Sequence, residues 1–363
     1  MIIRTFLLVF FSLVLFVNNS FSKNSIDKSK IGPVLRAPVI YKNNLYFLNT
    51  GGALFKSNLE LTHTKILFNA EKSSVSGVSL FKNSLYFGEG VHTDKKANLY
   101  AFNLEKSKID FVKELPGHIE SSPLVIKDFI FVGVGDSGLI ALNQKLEIVW
   151  ESQKSNPNQL FHIDTTPVIY KNLVCASSVY TFKGIACFNI KTGKLEYKQE
   201  LNRNAKSQII NIGKYLIGVA TEGDMFKSQW SVESLLYVID LEKKKIANSK
   251  LLSGFNFFKP VILNEKEIML SLSTGDILSY GIESGVVGYI GEFKEPLVSR
   301  IINSKNKYCA VGLMGKYICY KKNGSNFVKY KQNRIMKMIV GETTSINGKA
   351  YLPSRKGYEL IKL

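Results

Sequence analysis

Apolar residues in this chain come in short runs, and polar turns rich in Gly, Asn, Asp and Lys separate them. The runs recur in a fixed order. Pro38-Val39-Ile40-Tyr41-Lys42-Asn43 returns almost unchanged as Pro167-Val168-Ile169-Tyr170-Lys171-Asn172, and Pro123-Leu124-Val125-Ile126 and Pro260-Val261-Ile262-Leu263 match it. Weaker copies begin near Val78, Gln208, Arg300 and Thr343, so the steps between anchors are 40, 45, 44, 41, 52, 40 and 43 residues. Each copy opens with a short apolar segment and a polar turn. An alternating run follows, such as Leu45-Tyr46-Phe47-Leu48, then a Gly-containing turn and a run such as Leu139-Ile140-Ala141-Leu142. A further turn, as in Lys191-Thr192-Gly193, leads to a last run such as Ile148-Val149-Trp150. Period-2 runs bounded by turn residues predict four short strands per copy.

A four-stranded unit repeated every 40–45 residues predicts an all-β propeller. One blade alone cannot cover both its faces, whereas blades packed radially cover each other. Eight antiparallel blades are expected, with seven the alternative because the fifth and seventh copies are degenerate. The last copy reaches Leu363 after its third run. The segment Lys23 to Lys30 is therefore expected to supply the missing fourth strand and close the ring, which would remove open edges.

Ahead of the repeats, Arg4 precedes an apolar run from Phe6 to Val17, and Ser20-Phe21-Ser22 places small residues before Lys23. This pattern predicts a secretory signal over residues 1–22 and a single propeller domain over 23–363. The run is short for a membrane span. The first cysteine is Cys175, so no lipidated cysteine is expected to follow the signal. The chain reads as exported, periplasmic and soluble, with association to the outer membrane as an option.

The repeats resemble the pyrroloquinoline-quinone-type propeller repeat. Ser121 to Trp150 and Asp164 to Leu201 carry the resemblance best: Asp164-Thr165-Thr166-Pro167, Gly184-Ile185-Ala186-Cys187-Phe188-Asn189 and Lys191-Thr192-Gly193-Lys194-Leu195 stand in that family's order. Within the superfamily the chain is most similar to the outer-membrane-protein assembly propellers (the BamB type), which end much as Ile346-Asn347-Gly348-Lys349-Ala350-Tyr351 through Gly357-Tyr358 does here. That resemblance implies a non-catalytic scaffold that binds an envelope protein partner, with the barrel-assembly machinery as the candidate. It also implies that a turn of a central blade meets the partner; the matching positions are Phe188, Ile190 and Lys191. The quinone dehydrogenases of the same superfamily carry adjacent cysteines and a Ca²⁺ site. Here no two cysteines are adjacent, so no cofactor is expected. A quinone- or metal-dependent periplasmic oxidoreductase is the alternative reading.

Charge changes the picture only locally. The formal net charge is +19, from 48 Lys+Arg and 29 Asp+Glu. Only six of the basic residues are Arg, and bidentate base and phosphate recognition favours Arg. No nucleic-acid partner is expected. Residues 294–363 hold 15 basic and 3 acidic side chains, a net +12. Lys321, Lys322, Lys329, Lys331 and Lys337 would give the closing blades a positive sector able to attract an anionic envelope polysaccharide or other anionic surface.

Two consecutive copies share one further motif. His118-Ile119-Glu120-Ser121-Ser122-Pro123 and His162-Ile163-Asp164-Thr165-Thr166-Pro167 both stand just before an innermost strand. His118, Glu120, His162 and Asp164 are thereby expected on one face near the axis, as a weak metal or acid/base cluster. The competing reading is a blade-entry turn whose short side chains bond the local backbone. That reading is preferred, so neither catalytic nor metal-binding residues are expected. Cys175 and Cys187 flank one hairpin, and Cys309 and Cys319 another. Opposed positions on antiparallel strands suit disulfides, and buried free thiols are the alternative. Two longer loops stand out, one holding His92 and Asp94 and one holding Phe226 and Trp230. The exposed aromatic pair would suit a protein anchor. The chain is expected to be a monomer.

Overall fold

The computed structural model describes residues 26–221, 232–324 and 326–363. They form eight antiparallel sheets in chain order, arranged as a β-propeller. The first strands of the sheets begin at Val39, Ser79, Leu124, Val168, Ile210, Val261, Ile302 and Thr344. Every sequence anchor falls within two residues of one of them. The seven-blade alternative is set aside.

Each blade runs outward from the axis in chain order of its strands, and innermost strands of consecutive blades approach one another, as Ile302–Ser304 does Thr344–Ile346. Burial follows from this order. The middle strands of blade 3, Ile130–Gly133 and Leu139–Leu142, are buried along their whole length. The outermost strand of blade 5, Lys245–Ser253, alternates exposed and half-buried positions over its first half and is mostly exposed beyond. Middle strands are covered on both faces because the neighbouring blades supply the cover. One core cluster joins Tyr86, Leu99 and Ala101 of blade 2 to Ile130, Val132 and Ile140 of blade 3. At about 1.5–3 kcal/mol for each fully buried large side chain, these inter-blade cores hold the ring together.

The eighth sheet has three strands, Thr344–Ile346, Lys349–Ser354 and Gly357–Lys362. The N-terminal segment does reach this blade, but among the described residues it adds no strand. Lys28–Lys30 is one turn of 3-10 helix, and the Asp27 carboxylate accepts the Ser29 N–H at 2.9 Å. A local side-chain acceptor competes with ladder pairing, and Lys28-Ser29-Lys30 offers no apolar alternation to bury. The ring closes through packing instead. Ile31 and Val34 are buried with Leu45, Phe47 and Phe55 of blade 1 and Tyr351 and Tyr358 of blade 8. Ile26 N–H donates to Thr64 of blade 1 at 2.7 Å, while Lys28 pairs with Glu359 of blade 8 at 3.0 Å.

The two cysteine pairs occupy equivalent places. Cys175 lies directly opposite Cys187, and Cys309 opposite Cys319, each across the second and third strands of one blade. Both pairs are joined through sulfur. Tyr86–Ala101 and Phe131–Ala141 hold the matching register in blades 2 and 3. The disulfides thus replace a large–small core pair with a covalent link. No helix among the described residues is long and apolar enough to cross a membrane.

Candidate functional site

The connections between blades and the hairpins between second and third strands emerge on the same face. Blades 2 to 4 bring three of the chain's four histidines together there. His118 sits in the connection from blade 2 to blade 3. Its neighbour Ile119 donates its N–H to the Glu89 carbonyl at 3.1 Å, which pins the turn to the hairpin of blade 2. His162 and Asp164 sit in the connection from blade 3 to blade 4. Ile163 and Gly135 exchange backbone hydrogen bonds of 3.0 and 3.2 Å, and the His162 carbonyl accepts from Val179 at 3.0 Å. Backbone ties on both sides leave these side chains little freedom.

Gly135 has a positive φ of 48°, and a Cβ there would stand 2.4 Å from the His118 ring. Any other residue at this turn would displace the imidazole.

Asp164 bridges two rings. Its carboxylate oxygens accept from His118 Nε2 at 2.9 Å and from His162 Nε2 at 2.8 Å. Asp136, at the tip of the second-to-third-strand turn of blade 3, meets His162 Nδ1 at 2.6 Å. His92 reaches over from the blade 2 hairpin. Its ring centre is 5.1 Å from that of His118 and 5.3 Å from that of His162. The hairpin is braced by Asp94, which takes the Val91 N–H at 2.8 Å and pairs with Lys72 at 3.4 Å. Tyr180 of blade 4 packs edge-on to His162 at 4.9 Å and accepts from Lys206 at 2.7 Å. His118 and His162 are buried, Asp164 is half-buried and His92 is exposed.

The electrostatics follow from these contacts. Burial alone would depress His118 and His162, but the hydrogen bonds and charge of Asp164 outweigh it and hold both above the usual imidazole range. Burial alone would raise Asp164, yet its two imidazole partners keep it well below the usual carboxylate range. Glu120 is pushed up, by burial first and then by the nearby Asp164 charge. Its carbonyl accepts from Arg36 Nη2 at 3.0 Å. The Ser and Thr of the shared motif do serve the local backbone: Ser121 Oγ bonds both Gly133 backbone groups, and Thr165 Oγ1 donates to Ser177. The motif is thus both a blade-entry turn and the carrier of a side-chain cluster.

Of the four residues expected in the cluster, His118, His162 and Asp164 meet there, and Glu120 adds only its charge from nearby. His92, Asp136 and Tyr180 join them from hairpins outside the repeated motif.

Blades 6 to 8 carry charges in their entry turns at a different position, two residues before the innermost strand, where blades 3 and 4 have Ser122 and Thr166. Lys259, Arg300 and Glu342 stand just before the innermost strands of blades 6, 7 and 8. Burial lowers Lys259, and the Arg300 charge adds to the effect. Burial also lowers Arg300, against the pull of Glu342. Arg300 Nε is buried without a hydrogen-bond partner among the described residues.

The crystal structure of BamB from Moraxella catarrhalis aligns with a TM-score of 0.68 over 94% of this chain and 96% of that one, at 13% identity. The computationally designed Ika8 protein aligns with a TM-score of 0.71 over 95% of this chain and all of that one, at 9% identity. The likeness is one of fold. No family model matches the sequence, and no curated protein is similar to it in sequence.

The positions implied as partner contacts divide. Phe188 is fully buried between Trp150 and Phe161. It offers no surface, which corrects the expectation; a middle strand of a propeller has no solvent face. Lys191 is exposed and Ile190 half-buried, on the turn between third and fourth strands of blade 4. Trp150 Nε1 donates to the Ile190 carbonyl at 2.8 Å, and Asn156 donates to Gly193 at 3.0 Å. Blade 3 therefore fixes the shape of this turn. Phe226 and Trp230 lie outside the described residues, as does the expected signal over 1–22.

Proposed function

We propose that this protein is an exported, non-catalytic propeller that serves as a protein-binding scaffold in the bacterial envelope, in the manner of the BamB-type assembly propellers. The observation that carries the reading is the ring itself: eight blades that superpose on BamB over nearly the full length of both chains. The N-terminal pattern supports export, and the repeat order supports the assembly type. The docking surface in this reading is the turn around Ile190 and Lys191, presented rigidly by Trp150 and Asn156. Its partner would be the barrel-inserting protein of the outer membrane. Binding would involve docking alone, with no bond made or broken.

Affinity capture from envelope extracts tests this. The expected result is recovery of the barrel-inserting protein with the wild-type chain and about tenfold less with Lys191→Glu, a loss of about 1.4 kcal/mol. Reproducible failure of the wild-type chain to recover it sinks the assembly role.

A second reading rests on the exposed lysines of blade 7. Lys321 and Lys329 stand open to solvent on its two outer strands, and Lys337 follows them. This sector would attract an anionic envelope polymer.

A further inference from the structure

We propose that His92, His118, His162 and Asp164 form a binding site for one divalent transition-metal ion of the zinc type. One ligand atom from each of the four lies within 4.8 Å of all the others. A tetrahedral zinc with ligands at about 2.0–2.1 Å sets its donors about 3.3 Å apart. The two closest pairs, Asp164 to His118 and to His162, already stand at 2.9 and 2.8 Å. The remaining pairs lie within 4.8 Å, and His92 is the exposed member on a hairpin. The donor set is three imidazoles and one carboxylate, the borderline nitrogen and oxygen chemistry that zinc accepts.

Two further features point the same way. Asp136 holds His162 Nδ1 at 2.6 Å, so Nδ1 keeps its proton and Nε2 faces the cluster. A carboxylate behind a histidine is the usual arrangement for orienting a metal ligand. The chain also concentrates its histidines here. Three of four meet at one point, and the fourth, His63, lies in blade 1 with Asn58 and Thr62. One carboxylate needs no third imidazole for its own neutralisation. The open side at His92 gives an ion its way in. Four protein ligands leave no vacant position, so the site is structural. It would tie a hairpin of blade 2 to the connections that enter blades 3 and 4.

The test uses the protein purified without a histidine tag, stripped with chelator and titrated with zinc chloride by calorimetry. One ion per chain is expected, with a dissociation constant below about 1 μM, equivalent to about 8 kcal/mol. His92→Ala should weaken binding at least tenfold without changing the fold, since His92 is exposed. Asp136→Asn should weaken it by about tenfold. His63→Ala should bind as the wild type does. Zinc should raise the melting temperature of the wild type and of His63→Ala by the same amount, and that of His92→Ala by clearly less at equal zinc concentration. Wild-type binding no tighter than that of His92→Ala overturns the proposal. So does an equal loss in His63→Ala, which would mark adventitious surface binding.

Discussion

Blades 2 to 4 and blades 6 to 8 bring charged side chains to corresponding places, the turns that lead into the innermost strands. On the first arc the histidines and the carboxylates beside them are paired, while Glu120 also feels the like charge of Asp164. Asp164 is shared by His118 and His162, and His162 has Asp136 on its far side. On the second arc two cations, Lys259 and Arg300, face each other's repulsion with Glu342 alone in opposition. The two arcs share one backbone scaffold, so the difference lies in the side chains. A buried ion that is paired and hydrogen-bonded is costly to disturb; a buried ion with poor pairing is costly to keep. The same kind of substitution should therefore have opposite signs on the two arcs.

Removing the shared carboxylate should have the largest effect. Asp164→Ala strands two imidazoles and is expected to cost about 3–5 kcal/mol in denaturant unfolding. Loss below about 1 kcal/mol would show that the first arc is not held by this network. Each arc also contains one disulfide, in blade 4 and in blade 7. Replacing either pair by alanine should cost about 2–4 kcal/mol. Mass mapping without reduction that finds four free thiols would remove that prediction. On the second arc the sign reverses: Lys259→Met should stabilise the fold by about 1 kcal/mol, because it deletes a desolvated like charge. A loss of similar size would mean that Lys259 has a role in the fold that its charge environment conceals. The smallest effect belongs to the outer lysines. Any attraction of the blade 7 edge to an anionic polymer should fade as ionic strength rises through about 0.15 M. Retention unchanged at about 1 M salt, where the Debye length is near 3 Å, would dismiss the electrostatic reading.

The propeller was legible because its period is carried by local chemistry. Proline and apolar residues open each innermost strand, and polar turns close each hairpin, so eight anchors could be placed to within two residues. His118, Glu120, His162 and Asp164 were legible for the same reason, since they sit inside a repeated motif. His92 was not. It comes from a hairpin whose sequence repeats nowhere, and only the face on which the hairpin emerges brings it to the others. Asp136 and Tyr180 escaped in the same way. Phe188 was misread because a strand covered on both faces loses the alternation that separates core from surface; its blade neighbours Ile185, Ala186 and Cys187 are all buried. The N-terminal closure was right in place and wrong in form, because Asp27 diverts the backbone into a turn.

That closure bears on how the molecule is made. Tyr358 donates to the Arg36 carbonyl across 322 positions of sequence, and Lys28 reaches Glu359 across 331. Most other contacts are between strands that follow one another directly. The blades can therefore assemble quickly from local pairings, while the last join waits for the two ends of the ring to find each other, a search that slows with loop length. Until then blades 1 and 8 each show an apolar flank. A fragment cut anywhere between them keeps those flanks bare, which makes the seam the part of the molecule that proteases and holdase chaperones would read first.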